Sequence, residues 1–308
     1  MRKRKSNLNF YLQLVALLFL LVFSYSCENT KLKSIPNDAI IVCGDSKVLI
    51  VEFPEQGDTI PHIVWSWDAQ LVNDLPFEYR TRKFNSIDDC KSTNNGEQLM
   101  ISSSSGAIAI VNIEDKKVVF IADVPNAHSI EMIPGNKIIA AASTAPEGNR
   151  LMLFDINQPP NLLDTDSLYS AHGVVWDNRR NVLFALGYDV LREYKVDHNS
   201  NKLVMNDEWK IPGISGHDLS ISQDGDSLFI TERTGAWIFN IENHSFSKIE
   251  QFPDAVNIKS INQNINYQYV YTVAEESWWT YQVKFFNSSG YLSFPNLRVY
   301  KARFYNID

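Results

Sequence analysis

A short polar motif recurs five times along the chain and holds the side chains best suited to chemistry. Each copy starts with an amide, an imidazole or an amine, continues with a small or acidic residue and ends with an apolar one. The copies begin at Asn85, His128, His172, His217 and Lys259, at steps of 43, 44, 45 and 42 residues. Gathered in one place, three imidazoles and a lysine could bind a metal ion, hold an anion or transfer a proton.

The spacing of this motif predicts the fold that would gather those side chains. A period in the low forties, with several short strand-like segments in each unit, is typical of a β-propeller, whose blades are four-stranded sheets around a central channel. Each copy opens a stretch with strand-like alternation, so we expect it to begin the innermost strand of a blade. The first residues of the copies would then face one another at the mouth of the channel.

The number of strand-like segments predicts an all-β, six-bladed β-propeller with four strands in each blade. Blade 1 has only three such segments, residues 39–44, 47–53 and 62–67, and one segment, residues 297–304, is left over after blade 6. We therefore expect the C-terminal strand to complete blade 1, which closes the ring and removes exposed sheet edges. The long connection at residues 69–84 could hold one helical turn.

The first 27 residues are typical of a lipoprotein signal peptide. A basic segment at residues 2–5 precedes an apolar stretch at residues 14–23, and Cys27 follows a small residue. We expect Cys27 to be lipidated, residues 28–38 to form a polar tether and residues 39–308 to form the propeller. The lipid would anchor the protein to the outer membrane of the cell envelope, on its periplasmic or its surface face. A plain secretory signal and an uncleaved anchor are the alternatives.

Composition limits the partners of the chain. With 308 residues, 44% of them hydrophobic, it can form one domain with a sizeable core, and we expect a monomer. The net charge of −8 argues against a nucleic-acid-binding surface, which needs an excess of Lys and Arg. Cys43 and Cys90 would lie roughly 16 Å apart at the rise of a strand, too far for a disulfide, so we predict two buried free thiols.

Eight longer motifs follow one another through the propeller region. They are VWSWDA (64–69), NAHSIEMIPG (126–135), GNRLMLFD (148–155), LYSAHGVVWD (168–177), LGYDVLREY (186–194), GHDL (216–219), EESWWT (275–280) and the closing YKARF (300–304). Together they resemble a family of Bacteroidota β-propeller lipoproteins of unknown function. The resemblance spans about residues 39–304 and implies the fold and export, but it implies no reaction and no catalytic residues.

A second group of side chains is expected around the same channel mouth. In a propeller, the loops between the second and third strands of each blade open on the face where the innermost strands begin, and the connection after blade 1 reaches that face. These segments carry Trp67, Arg80, Arg82, Arg150, Tyr188, Glu232, Arg233, Glu275, Trp278 and Trp279. Aromatic rings beside arginines and carboxylates are typical of a sugar-binding cleft, because apolar sugar faces pack on rings while hydroxyl groups need directed hydrogen bonds.

Three hypotheses describe the ring itself. His128, His172 and His217 could hold a divalent metal, the one cofactor that the sequence suggests, although Lys259 in the same ring would repel a cation. The histidines, Lys259 and nearby arginines could instead bind the carboxylate, sulfate or phosphate of an anion. In the third hypothesis the histidines only fill the channel and bond to backbone groups or water.

The leading functions belong to different classes. A binding module would capture an acidic oligosaccharide or another small anionic ligand at the channel mouth, with Asn85 and the surrounding aromatic and charged residues as ligand contacts. An oligosaccharide lyase would neutralise a uronate carboxylate with a cation or metal while a base removes the adjacent proton. Its candidate residues are His128, His172, His217, Lys259 and Arg150, helped by Tyr188 or Glu232. A protein-interaction scaffold with a purely structural channel is the third alternative.

Overall fold

The structure covers most of the region that the sequence assigns to the propeller. The computed structural model describes residues 35–157, 161–249, 252, 256–286 and 290–305. The predicted signal peptide with Cys27, and residues 28–34 of the predicted tether, lie outside the described residues. Within these ranges, no helix combines the length and the apolar character needed to cross a membrane.

The described residues contain 24 strands in six antiparallel, four-stranded sheets, which are arranged in a ring as the blades of a propeller. Along the first half of the chain these are β1 (Ile40–Gly44), β2 (Lys47–Val51), β3 (Ile63–Asp68), β4 (Ile87–Thr93), β5 (Gln98–Ser103), β6 (Ala107–Asn112), β7 (Val118–Asp123), β8 (Ala127–Ile133), β9 (Lys137–Ala142), β10 (Arg150–Asp155) and β11 (Asn161–Ser167). The second half contains β12 (Gly173–Asp177), β13 (Val182–Leu186), β14 (Val190–Asp197), β15 (Lys202–Lys210), β16 (Asp218–Ile221), β17 (Ser227–Glu232), β18 (Gly235–Asn240), β19 (Ser245–Lys248), β20 (Ile258–Gln263), β21 (Tyr269–Val273), β22 (Gln282–Phe286), β23 (Tyr291–Ser293) and β24 (Val299–Phe304). The predicted all-β, six-bladed fold is confirmed.

Blade 1 is completed by the C-terminal strand, as predicted. β24 pairs antiparallel with β1, with Ala302 opposite Val42, and the sheet has the order β24-β1-β2-β3. The two segments approach so closely at Gly44 that a Cβ atom there would clash with the carbonyl oxygen of Arg298. The position therefore requires a residue without a side chain, where the two ends of the propeller meet.

Tight turns join the strands where the sequence is rich in Asn and Gly. Asn94, Asn95 and Gly96 all have positive φ between β4 and β5, and Gly135 and Asn136 have positive φ between β8 and β9. These residue types adopt the left-handed backbone at little cost.

The hydrophobic core consists of layers between neighbouring blades. One layer joins blades 1 and 2 and includes Trp65 and Phe84, whereas another joins blade 6 to blade 1 and includes Val283 and Phe304. Cys43 and Cys90 are buried free thiols, as predicted. Burial raises the pKa of each thiol, so neither is a ready nucleophile.

The connection between blades 1 and 2 contains two short helical pieces, a 3₁₀ helix at Ala69–Leu71 and a π-helix at Tyr79–Lys83. Tyr79 donates its hydroxyl proton to Asp123 over 2.5 Å, and the ammonium group of Lys83 lies 2.7 Å from the same carboxylate. These contacts fasten the connection to β7, on the outer side of blade 2.

Candidate functional site

The mouth of the channel is ringed by one side chain from the start of each innermost strand. In β4, β8, β20 and β24 the strand pairing skips one residue near the start, which is the signature of a β-bulge. In β12 and β16 the equivalent residue comes directly before the strand. The six ring residues are Asp88, His128, His172, His217, Lys259 and Tyr300, at steps of 40, 44, 45, 42 and 41 residues.

The placement of Asn85 in the ring was wrong by three residues. Asn85 is exposed and donates its amide N–H to the carbonyl oxygen of Thr81, so it belongs to the connection before blade 2. β4 starts only at Ile87, and its bulge presents Asp88. The motif in this blade is therefore Asp-Asp-Cys, and one side of the ring is a carboxyl group.

The ring residues contact one another around the mouth. The rings of His128 and His172 stack with centroids 4.2 Å apart, and those of His172 and His217 meet edge to face at 6.0 Å. Lys259 Nζ lies 2.8 Å from Nε2 of His217. On the other side, the ring of Tyr300 lies 5.9 Å from that of His128.

Hydrogen bonds determine which imidazole nitrogen carries a proton. Nδ1 of His172 lies 2.8 Å from the carbonyl oxygen of Ser170. Because a carbonyl only accepts, Nδ1 is the donor and Nε2 keeps its lone pair. The ammonium group of Lys259 can only donate, so Nε2 of His217 accepts and its Nδ1 carries the proton. That Nδ1 is buried and has no partner among the described residues.

The three histidines are neutral in the folded protein. Burial, followed by the charge of Lys259, lowers the pKa of His217 to about 2, and burial lowers the pKa of His172 to about 4. Burial and the neighbouring His172 hold the pKa of His128 well below its ordinary value. Burial, Lys301 and Arg233 lower the pKa of Lys259 to about 8, so this amine is still mostly charged at neutral pH. The mouth therefore combines one ammonium group with three uncharged imidazoles.

The ring geometry does not favour a metal centre. No group of three His, Cys, Asp or Glu side chains in the described part of the chain is placed to hold a metal ion. The lone pairs of His128 and His172 lie in planes only 20° from parallel, so they do not converge on one point, and Lys259 occupies the free nitrogen of His217. These contacts favour the anion hypothesis over the metal hypothesis.

A buried ionic network closes the channel directly below the ring. The guanidinium of Arg303 donates two hydrogen bonds to Asp218, at 2.9 and 2.6 Å, and a third to Asp89 at 3.0 Å. Lys301 Nζ lies 3.0 Å from the Asp218 carboxylate. Burial alone would raise the pKa of Asp218, but the charges of Arg303 and Lys301 hold it below the ordinary value. The two carboxylates are therefore ionised and paired with these two cations, and Asp89 also lies 3.8 Å from Nζ of Lys91.

Several predicted rim residues lie close to the ring. The ring of Trp278 is 5.8 Å from that of Tyr300, at an interplanar angle of 71°. Arg233 is exposed, and its charge acts on both Lys259 and His217. Tyr188 accepts a backbone hydrogen bond from Gly216, immediately before His217.

Other predicted residues have structural roles away from the mouth. Trp67 is buried between blades 1 and 2, where it packs edge to face against Phe84, because β3 turns it into the core rather than onto the rim. Glu232 is fully buried and accepts hydrogen bonds from Thr234 and Trp237 of its own hairpin. Neither side chain is available to a ligand.

The remaining predicted residues lie in the connection after blade 1, at the start of β10 and in the loop between β21 and β22. Arg80 and Arg82 belong to the π-helix that is fastened to blade 2. Arg150 bonds to the carbonyl oxygen of Gly148 and pairs loosely with Glu147. Glu275 accepts a hydrogen bond from Thr280, and Trp279 lies under the guanidinium of Arg298.

Sequence reasoning missed six polar residues of the channel. Asp88, Asp89, Asp218, Tyr300, Lys301 and Arg303 were not selected, although all six lie in the channel as ring or network residues at 4% exposure or less. The signal was present, because aligning the closing YKARF motif with the His and Lys copies places Tyr300 in the ring. The innermost strand of blade 1 is β24, so the copy of the motif that belongs to blade 1 lies at the C-terminal end of the propeller and not before β1.

We predict that Arg303→Met lowers the free energy of unfolding by about 3–5 kcal/mol, because the two buried carboxylates then share Lys301 and have only a 3.8 Å contact between Lys91 and Asp89 beside it. Urea denaturation monitored by circular dichroism measures the change. The matched control is Arg179→Met, which removes an exposed pair with Asp226 and should cost much less. Equal losses for the two variants would contradict the role of the network.

We predict that the stability of the protein falls below pH 6.5 partly because its histidines are held neutral. The unfolded chain binds protons on these groups near pH 6.5, whereas folded His217 does so only near pH 2, so stability rises with pH across this window. Between pH 7 and pH 5, His217→Gln should therefore lose about 2 kcal/mol less than the natural protein.

Asp88 acts in the opposite sense, because burial raises its pKa to about 7, but it is present in both proteins and cancels in the comparison. Denaturant titrations at the two pH values provide the measurement, and His198→Gln, on an exposed turn, is the control. A His217→Gln protein that loses as much stability as the natural one would show that this imidazole is not held neutral.

Comparison with known proteins shows the fold and a family. A chain of the nidogen/laminin complex is 11% identical, with a TM-score of 0.63, 86% of this chain covered and 97% of that chain. A protein of unknown function from Bacteroides caccae is 10% identical (TM-score 0.59; 87% and 99% covered), and a functionally unknown protein from Desulfotomaculum acetoxidans DSM 771 is 11% identical (TM-score 0.57; 88% and 100% covered). At these identities the likeness is one of fold alone. No curated protein matches the chain. The model of a family of unknown function, DUF6528, matches residues 5–308, and the chain therefore belongs to that family.

Proposed function

We propose that the protein binds a small anionic, carbohydrate-like ligand at the channel mouth, with the anionic group between Lys259 and Arg233. The observation that carries this proposal is the environment of Lys259. Its side chain is 7% exposed, its hydrogen-bond partner is the neutral His217, and no carboxylate pairs with it among the described residues. A bound carboxylate, sulfate or phosphate would complete the site.

Charge balance supports an anionic ligand. A buried ammonium group is costly unless an opposite charge accompanies it. The nearest ionised carboxylates, Asp89 and Asp218, are already paired with Lys301 and Arg303. Asp88 cannot neutralise the mouth fully, because burial raises its pKa to about 7. The ring and Arg233 together thus have an excess of positive charge at neutral pH.

The aromatic residues around the mouth support a sugar as the rest of the ligand. Trp278 and Tyr300 meet at one side of the ring, and Tyr169 and Tyr188 lie 5.4 Å apart at another. Tyr169 is 61% exposed and precedes His172 by three residues. Tyr300 is 3% exposed, so Trp278, Tyr169 and Tyr188 are the rings that offer flat apolar faces beside hydrogen-bonding groups, which is the combination that a pyranose ring recognises.

We predict that methyl α-galacturonoside, a uronate with a blocked reducing end, binds the purified protein and that Lys259→Gln weakens its affinity by about 10- to 100-fold. The loss corresponds to one hydrogen bond to a charged group. Isothermal titration calorimetry gives the affinities, with Lys248→Gln on the exposed strand β19 as the matched control.

The pH dependence of binding provides an independent check. Because the free protein holds the pKa of Lys259 at about 8, affinity should fall above that pH as the amine loses its charge, and it should rise below about pH 7, where Asp88 gains a proton and its negative charge is lost. Failure of uronate, sulfate and phosphate probes to bind, or unchanged affinity in Lys259→Gln, would overturn the proposal.

A lyase acting on uronic-acid sugars is the second candidate, and the state of His172 favours it. Its Nε2 carries a free lone pair at the mouth, because Ser170 accepts the proton on Nδ1, and burial lowers its pKa to about 4. A neutral imidazole beside a cation that neutralises a carboxylate is the pair of groups that β-elimination requires.

We predict for this candidate that incubation with polygalacturonate or alginate produces unsaturated uronates, detected by their ultraviolet absorbance. His172→Gln should reduce the rate by at least about 100-fold, whereas His198→Gln should not change it. If the natural protein binds uronates but yields no unsaturated product, the lyase is excluded and the binding function stands.

We also propose that the protein is exported and held at the outer membrane by a lipid on Cys27. A basic segment, an apolar stretch and a small residue before Cys27 support export and lipidation of that cysteine. A propeller held in this way at the outer membrane of the cell envelope would present its channel mouth to soluble glycan fragments.

A further inference from the structure

A cavity lies at the opposite end of the channel from the ring. Its volume is about 190 Å³, and its polar lining comes from Lys91, Glu131, Asn178, Ser220, Asn262 and Arg303. Five of these six residues lie three positions beyond a ring residue along an innermost strand, which is roughly 10 Å along the channel. Drug-sized ligands occupy pockets of about 300–1,000 Å³, so this cavity has room for one small ring or less.

The ionic network separates this cavity from the mouth. Lys301 is fully buried and Asp218 is 1% exposed, and both lie between the ring and the cavity on the inner strands. A ligand in the cavity therefore has a different environment from a ligand at the mouth. Lys259 and Arg233, which face the mouth, do not line the cavity.

The charges around the cavity are already balanced. Lys91 lies 2.9 Å from the carboxylate of Glu131, and Arg303 is held by Asp218 and Asp89. The carboxylate of Glu131 would repel an added anion, and the charges of Lys91 and Arg303 would repel an added cation. The cavity thus has no excess charge to attract either kind of ion, in contrast to the mouth.

Hydrogen-bonding capacity remains on donors of Lys91 and Asn262 and on one acceptor, the Oε1 atom of Glu131, to which no donor in the described part of the chain bonds. Two of the three ammonium protons of Lys91 are directed to Glu131 Oε2 and to the carbonyl oxygen of Val174, which leaves one. The Oδ1 atom of Asn262 accepts from the backbone of Phe304, while its NH₂ group has no acceptor among the described residues. A hydroxyl group both donates and accepts, so it satisfies such a surface where a carboxylate or an ammonium group does not.

Apolar side chains complete the lining. Val175, Leu219, Ile221 and Phe304 line the cavity beside the polar groups. This mixture suits a molecule with hydroxyl groups around its edge and C–H groups on its faces. We propose that the cavity is a second ligand site, which binds a single uncharged sugar ring independently of the anionic ligand at the mouth.

The test uses methyl α-glucoside, methyl α-galactoside, methyl α-mannoside and methyl β-xyloside as probes for the full-length protein, with saturation-transfer NMR and calorimetry as readouts. At least one probe should bind saturably. Val175→Phe, which fills the cavity, should weaken that binding by at least tenfold, whereas Val119→Phe, on the exposed face of β7, should not.

A second variant tests the same cavity in case Val175→Phe does not fold. The pair Lys91→Met with Glu131→Met removes both charges together, and Asp89, which also contacts Lys91, keeps Arg303 and Lys301 as partners, so circular dichroism should show a folded protein that has lost glycoside binding. Saturating methyl α-galacturonoside should leave the affinity for the neutral probe unchanged.

Three results would overturn the proposal: no saturable binding of any of the four probes, undiminished binding in the folded cavity variants, or displacement of the neutral probe by the uronate. None of them bears on anion binding at the mouth, which Lys259→Gln tests separately.

Discussion

Four charged side chains in the centre of the channel, Asp89, Asp218, Lys301 and Arg303, are the interaction on which the rest of the structure depends. They come from the innermost strands of blades 2, 5 and 1, so they join opposite sides of the ring across its axis. The two cations lie on the last strand of the chain. Formation of this network therefore requires that the C-terminal strand has already completed blade 1, which couples closure of the ring to filling of the channel.

Such a network stabilises the fold only because it is complete. Removing water from an ion costs several kcal/mol, and the attraction between partners offsets that cost only when geometry is good and every partner is present. Here Arg303 makes a bidentate pair with Asp218 and also reaches Asp89, and Lys301 lies between the same two carboxylates. The arrangement provides the required geometry, but it leaves no charge to spare for a ligand.

The network also gives the two ends of the channel different chemistry. Above it, Lys259 remains without a carboxylate partner and the histidines are neutral, so the mouth favours an anion. Below it, Lys91 and Glu131 neutralise one another, so the cavity favours an uncharged molecule. β-Bulges at the starts of the inner strands contribute to this difference, because they turn His128 and Lys259 towards the mouth while the following residues face the axis.

The sequence by itself determined the blades. Strand-like alternation and the recurring His and Lys copies are local patterns, and they were sufficient to predict six four-stranded blades, ring closure by the C-terminal strand and free thiols at Cys43 and Cys90. The meeting of His128, His172, His217 and Lys259 also followed from the repeat, because equivalent residues of a propeller occupy equivalent places.

Only the tertiary structure decided the register and the partners. β4 begins only at Ile87, so its bulge presents Asp88 rather than Asn85, and residue types alone do not reveal where the strand begins. The pairing of Arg303 with Asp89 and Asp218 joins residues 214 and 85 positions apart, through strands that meet only when the ring closes. Whether a charged residue is free for a ligand or committed to the core depends on these long-range distances, and a linear sequence does not contain them.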